Sequence, residues 1–188
     1  MTVSNNREEW LIKGVEELNK LITSKTTLTP KTVKVSTGFT GTRGSKNKAI
    51  GVCYAASCAS DNISQIFIHP EIEDSSRALD ILLHELLHAY LPANTGHKGA
   101  FKQNALKTGL TGQMTATVAS KELEAELADI ISRIGEYPHA ALKTDSIKKD
   151  TTRLIKVECF NCGYVARVSR KWLATGAPIC PQDNIEME

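Results

Sequence analysis

The sequence predicts an α+β fold: one main domain made of a helix, a small sheet and further helices, then a small cysteine-bearing module. Three observations lead there. Apolar residues recur at helical spacing from Asn6 to Ile22 and again from Ser75 to Leu91. The strand-like segments between those stretches follow one another without intervening helices, which argues against βαβ units. Near residues 140–150 the composition shifts to a polar, Lys-rich stretch, and three of the five cysteines follow it.

The first helix is carried by Trp10, Leu11, Val15, Leu18, Leu21 and Ile22, with charges between them. Thr32–Ser36 alternates with period two and reads as a strand. Residues 38–48 form a Gly/Thr/Lys loop, Ala49–Ala55 a second strand, and Ile63–Ile68 a third that ends before Pro70. Asp74, Ser75 and Ser76 offer N-caps for a helix that runs to Leu91 and is stopped by Pro92. Gly99–Leu110 and Ser120–Ile134 read as two further helices.

A chain of 188 residues with 41% hydrophobic and 23% charged residues is long enough for one ordinary domain and a satellite, and is not wholly disordered. Aromatics at 5% leave a mostly aliphatic core. The net charge of +2 gives no global argument for nucleic acid. Its distribution is uneven, however. Residues 1–142 balance 15 basic against 15 acidic residues, 143–171 carry eight basic against three acidic, and 172–188 add three acidic. The expected boundaries are a main domain over 1–142, a basic linker over 143–151 and a module over 152–188. No uncharged apolar run approaches the ~18 residues of a membrane span, so no membrane partner is expected. The first ten residues lack the apolar core of a signal peptide, and the cysteine number is odd with a C-x-x-C pair. A cytoplasmic, intracellular protein is expected, with Cys53 and Cys58 as buried small hydrophobes.

The chemistry concentrates in His84-Glu85-Leu86-Leu87-His88, an H-E-x-x-H motif on the predicted helix. Residues i and i+4 share a helix face, so both imidazoles can address one Zn²⁺ ion. Glu85 is then the general base for a water activated by that metal. A catalytic zinc needs a third protein ligand and an open position. His97 is the favoured candidate, since Pro92–Gly96 turns the chain back; a carboxylate from Glu122, Glu124 or Glu126 is the alternative.

Together, His84-Glu-Leu-Leu-His-Ala-Tyr-Leu91, Gly96-His97 and Phe101-Lys102 resemble the SprT-like zinc metallopeptidases, the Spartan-related family, whose pattern is H-E-x-x-H-A-Y, a variable loop, then G-H-x-x-x-F with the third histidine ligand. The likeness covers roughly 47–110 and 155–183. It implies a zincin-like domain, in which the strand before the metal helix is the sheet edge bordering the cleft. That expectation falls on Ile63–Ile68. It also implies a protein or peptide substrate and raises association with DNA, because such proteases act on DNA-bound proteins. Tyr90, Tyr137 and His139 are polar ring candidates near the site, assigned structural roles.

Cys159-x-x-Cys162 and Cys180-x-x-Asp183 have the spacing of a zinc ribbon, with Asp183 where a fourth cysteine would stand. A second, structural zinc on Cys159, Cys162, Cys180 and Asp183 is expected, because so small a module has little core. Val157, Val165 and Val168 are its strand residues, with Trp172 and Leu173 packing over it. The basic segment, together with Phe160, Tyr164 and Trp172, offers a surface for DNA. Two functions are thus weighed: a zinc metalloendopeptidase, or a nucleic-acid-associated zinc protein with a non-catalytic scaffold. Glu85 favours the first.

Overall fold

A computed structural model of the chain describes residues 6–40, 49–143 and 154–188. The chain divides into two compact units, Met1–Thr144 and Asp145–Glu188. The first is a mixed α+β unit. Helix α1 (Arg7–Lys25) starts where the Asn6 side chain accepts the Glu8 N–H at 2.8 Å. Strands β1 (Val33–Thr37), β2 (Gly51–Tyr54) and β3 (Ser64–Ile68) form one sheet in the order β1-β3-β2. β1 runs parallel to β3, and β2 antiparallel to it with Gly51 opposite Ile68.

Helix α2 (Ser75–Tyr90) is capped by Asp74, whose carboxylate accepts the Arg77 N–H at 2.7 Å. It is buried on nearly every side, from Ala78 through Leu87, so it is the centre of the unit rather than a surface helix. Gly14 on α1 lets the two helices approach, since a Cβ there would lie 3.0 Å from Leu79 Cδ2. Trp10 closes the far side of the core and donates its indole N–H to the Gly135 carbonyl at 2.7 Å. Helix α3 (Ala100–Thr108) ends at Gly109, whose φ of 96° is left-handed and whose Cα faces Leu123. A hairpin of β4 (Leu110–Gln113) and β5 (Ala116–Ala119) follows, then α4 (Lys121–Ile134).

Two expectations are corrected here, the edge position of Ile63–Ile68 and the burial of Cys53 and Cys58. Ile63–Ile68 supplies the central strand and not the sheet edge; the strand beside α2 at the edge is β2. Strand β1 is inserted in parallel on the far side of β3, an ordering that local alternation does not encode. The hairpin over 110–119 was not expected, because only Gly112 and the threonines mark it. Cys58 is exposed on a short 3₁₀ turn, and Cys53 is half-buried against the core.

The second unit pairs β6 (Ile155–Glu158) with β7 (Val165–Val168) in antiparallel register, followed by the one-turn helix α5 (Arg170–Leu173). Its small core is Val157, Cys159, Cys180 and Met187, with Ala166, Val168 and Leu173 packed against it. Val157, Val165 and Val168 lie on its strands as expected, with Val165 on the outer face, whereas Trp172 faces outward at 60% exposure instead of packing over the core. Strand alternation puts Val165 opposite Ala166, and neighbours on a helix point about 100° apart, so Leu173 takes the inward place. Apart from Lys143, the linker expected over 143–151 lies outside the described residues, as do the basic residues Lys148, Lys149 and Arg153. Among the described residues no helix is long and apolar enough to cross a membrane.

Candidate metal centre

His84 and His88 lie one turn apart on α2, and His97 joins them from the turn after that helix. Leu91 ends the helix and Pro92 keeps it ended. Asn94 and Gly96 then adopt φ of 67° and 62°, which swings His97 back over α2. His97 Nε2 lies 3.3 Å from His84 Nε2 and 3.1 Å from His88 Nε2. A tetrahedral ion with metal–nitrogen bonds of ~2.0–2.1 Å would set its ligands about 3.3–3.4 Å apart. Three ring nitrogens facing one point at this spacing fit a cation. The donor set could hold a metal ion.

The imidazoles are in the form a metal needs. Burial, with the neighbouring rings adding to it, depresses His84 to about 3, and burial depresses His88 to about 4. His97 is lowered by burial as well. All three are neutral at pH 7, with lone pairs to give. Phe101, fully buried on α3, holds the cluster in place. Its ring stacks on His88 at 4.2 Å and meets the edges of His84 and His97 at 4.8 and 5.1 Å.

Glu85 lies beside His84, buried, and points to the sheet edge instead of into the trio. Burial pushes its carboxyl up to about 8, opposed by a hydrogen bond from the Cys53 N–H. That bond follows from the ladder. The His69 N–H donates to the Ile50 carbonyl at 2.8 Å, so Val52 and Tyr54 are the residues bonded inward to β3. Gly51 and Cys53 turn their backbone groups outward, towards Glu85 and a small cleft. Ile50, Gly51, Ile81, His84, Glu85 and Thr117 are among the residues lining that cleft.

The other candidates sit elsewhere. Glu122, Glu124 and Glu126 are outside the histidine group; Glu126 pairs with Lys25 at 2.6 Å. Tyr90 donates to Asn19 at 2.6 Å, the Tyr137 hydroxyl meets that of Thr37 at 2.6 Å, and His139 Nε2 lies 2.9 Å from the Pro70 carbonyl. Each ring is held by a structural contact. Two residues of the site were not found from sequence, Thr117 and Gly51. Neither carries a pattern of its own, because a lone threonine and a lone glycine gain meaning only from what packs against them.

In the second unit, Cys159, Cys162, Cys180 and Asp183 come together as a group that could hold a metal ion. Cys159 Sγ lies 3.2 Å from Asp183 Oδ2, and Cys162 Sγ lies 3.5 Å from Cys180 Sγ. The two ligand turns have matching backbones. Gly163 donates to the Cys159 carbonyl at 2.8 Å, and Asn184 to the Cys180 carbonyl at 2.9 Å. Cys159 and Cys180 each donate back to the residue five on, Tyr164 and Ile185, at 2.9 and 2.8 Å. Gly163 and Asn184 both have left-handed φ, 72° and 56°. Asp183 therefore stands where Cys162 stands in the other turn. Its carboxylate, ahead of the other neighbours, pushes the Cys162 thiol up to about 12.

Comparison with family models, with curated proteins and with solved structures gives no match. The reading of the site rests on its own geometry.

Proposed function

We propose that the first unit is a zinc-dependent metallopeptidase of the zincin type, related to the SprT-like family, and that His84, His88 and His97 hold its metal. The single observation that carries this reading is the meeting of three neutral imidazole nitrogens beside a buried carboxylate that is not one of them. Zinc bound there would supply Lewis-acid polarisation of a carbonyl and acidification of water. A centre of purely structural use has no need of Glu85. In the peptidase reading Glu85 would accept a proton from the attacking water and pass it to the departing amine, its ionised form being favoured by a cation held on the neighbouring histidines. The Cys53 N–H fixes the direction of that carboxylate.

The substrate is an extended peptide laid along β2, whose residue Gly51 lines the cleft beside His84 and Glu85. Main-chain recognition of this kind asks little of side-chain sequence, which suits unfolded segments of proteins. The second unit is read as a zinc-ribbon module that contacts nucleic acid. Phe160, Tyr164 and Trp172 are exposed at 76%, 48% and 60%, Arg167, Arg170 and Lys171 are exposed as well, and Lys171 Nζ lies 5.0 Å from the centre of the Trp172 ring. The odd number of cysteines and the Cys159-x-x-Cys162 pair support a reducing, cytoplasmic setting.

The test is incubation of the zinc-loaded chain with an unfolded protein, with and without single-stranded DNA, comparing wild type with Glu85→Gln. The variant should keep its zinc and lose roughly 10²–10⁴ of the rate. Equal cleavage by the two would end the peptidase reading.

A further inference from the structure

We propose that Thr117 is a positioning residue of the histidine centre, fixing which nitrogen of His84 faces the metal; this rests on the reading of the trio as a metal site. The Thr117 hydroxyl lies 2.8 Å from His84 Nδ1, on the side of the ring away from His97. Both side chains are buried, so the contact is not shared with bulk solvent. A ligand nitrogen must present a lone pair. With Nε2 given to a metal, the ring proton sits on Nδ1 and finds its acceptor in Thr117 Oγ1. The hydroxyl acts on the orientation of the ring, keeping Nδ1 on β5 and Nε2 on the trio, and without it a ring flip that turns Nε2 away from the ligand position is no longer opposed.

The backbone that carries the hydroxyl is fastened to α2. Arg77 Nη1 donates to the Thr117 carbonyl at 3.0 Å and to both Asp80 oxygens at 2.8 and 2.7 Å. Asp80, one turn before His84, in turn accepts the Ala119 N–H. The backbone of β5 is thus tied to α2 at the Thr117 carbonyl and at the Ala119 N–H, through one ion pair that is largely out of solvent. The geometry makes β5 the outer support of the centre, with Arg77 and Asp80 as its fastening.

The test uses the full chain with Thr117→Val, which keeps the shape and removes the hydroxyl, and Thr117→Ser, which keeps the hydroxyl. Affinity is read by chelator competition with cobalt(II), whose imidazole and thiolate absorption bands separate the two centres. Thr117→Val should weaken the histidine centre about 10–100-fold, leave the cysteine centre unchanged, and Thr117→Ser should recover most of the loss. In parallel, ring ¹⁵N shifts of zinc-loaded wild type should show His84 bound through Nε2 with its proton on Nδ1, a reading that needs no variant to fold. Wild-type affinity in Thr117→Val, failure of Ser to rescue, or His84 bound through Nδ1 would overturn the role of Thr117. No cobalt band from imidazoles in wild type would instead overturn the metal reading on which it rests.

Discussion

Gly51 lies so close to Glu85 that a Cβ on it would stand 2.8 Å from the carboxylate Oε1, and 2.5 Å from Ile81 Cγ2 on the same helix. Glycine here answers to close approach and not to a special backbone angle. The edge strand can touch α2 because one side chain is missing. Gly51→Ala must therefore push Glu85 aside or lift β2. The expected cost is about 1–3 kcal/mol of stability, as for other overpacked positions. Peptidase turnover should fall while the zinc content of the histidine centre stays the same. Unchanged melting and turnover in this variant would show that the contact gives way freely.

Glu85 also sets a pH dependence. Burial raises its carboxyl to about 8 from an ordinary 4.5. Between those values the folded, metal-free chain keeps the proton and the unfolded chain has lost it. The folded state then binds more protons, so stability falls as pH rises through that window. The contribution is present in full below the unfolded value and gone above the folded one. Glu85→Gln removes it without changing shape. Metal-free wild type and variant should match near pH 4.5, and at pH 9 the variant should be more stable by a few kcal/mol, at about 1.4 kcal/mol per pK unit. Denaturant unfolding of the two chains at both pH values measures the difference, in which all other titrating groups cancel. A gap that does not change with pH would mean an ordinary Glu85.

Much of this site was legible because its chemistry is local. His84, Glu85 and His88 lie within one helical turn and a bit, and a period of 3.6 fixes their common neighbourhood. His97 was legible through the Pro92 break and the short return to the helix. What was hidden depended on distant packing. Nothing in Ile63–Ile68 says that β1 will pair on its far side, so its place as the central strand is a property of the sheet. Thr117 belongs to a ten-residue hairpin with weak alternation, and its partner is 33 residues away. The Asp183 position could be read from spacing, while its equivalence to Cys162 appears only in the paired left-handed turns.

The position of β2 changes where substrate is expected. An extended peptide would bond to Gly51 and Cys53, which alternate with the inward-bonded Val52 and Tyr54. One donor of that pair, the Cys53 N–H, is already given to Glu85. Few main-chain bonds are then open, and affinity for short peptides should be low. Within a bound peptide, N-methylation should weaken binding at alternate residues only, roughly tenfold where a bond of about 1–1.5 kcal/mol is lost. Binding to a Glu85→Gln chain isolates this from cleavage. An effect at every residue, or at none, would argue against strand addition.

In the second unit, the proposed metal and the proposed nucleic-acid contact can be separated by substitution. Among the described residues the unit's buried core is four side chains, two of them the cysteines Cys159 and Cys180, so its stability depends on what those side chains bind. Asp183 brings a negative charge against thiols, and Cys162 is held protonated mainly by it when no cation is present. A bound metal would remove that conflict by taking the thiolates and the carboxylate together. Cys180→Ser should therefore unfold this unit and leave the first unit's melting and cleavage of unfolded protein unchanged. Asp183→Cys, which makes the two ligand turns alike, should tighten metal binding. If the exposed Phe160, Tyr164 and Trp172 stack on bases while the surrounding basic residues meet phosphates, binding to single-stranded DNA should fall with salt. A slope of log K against log[salt] on the order of −2 to −4 is expected, since each phosphate contact on a single strand contributes about −0.7. Trp172→Ala should weaken binding without altering that slope, because it removes stacking and no charge. Cys180→Ser should lose both affinity and the stacking effect. DNA binding that survives Cys180→Ser with its slope intact would place the contact outside this folded unit.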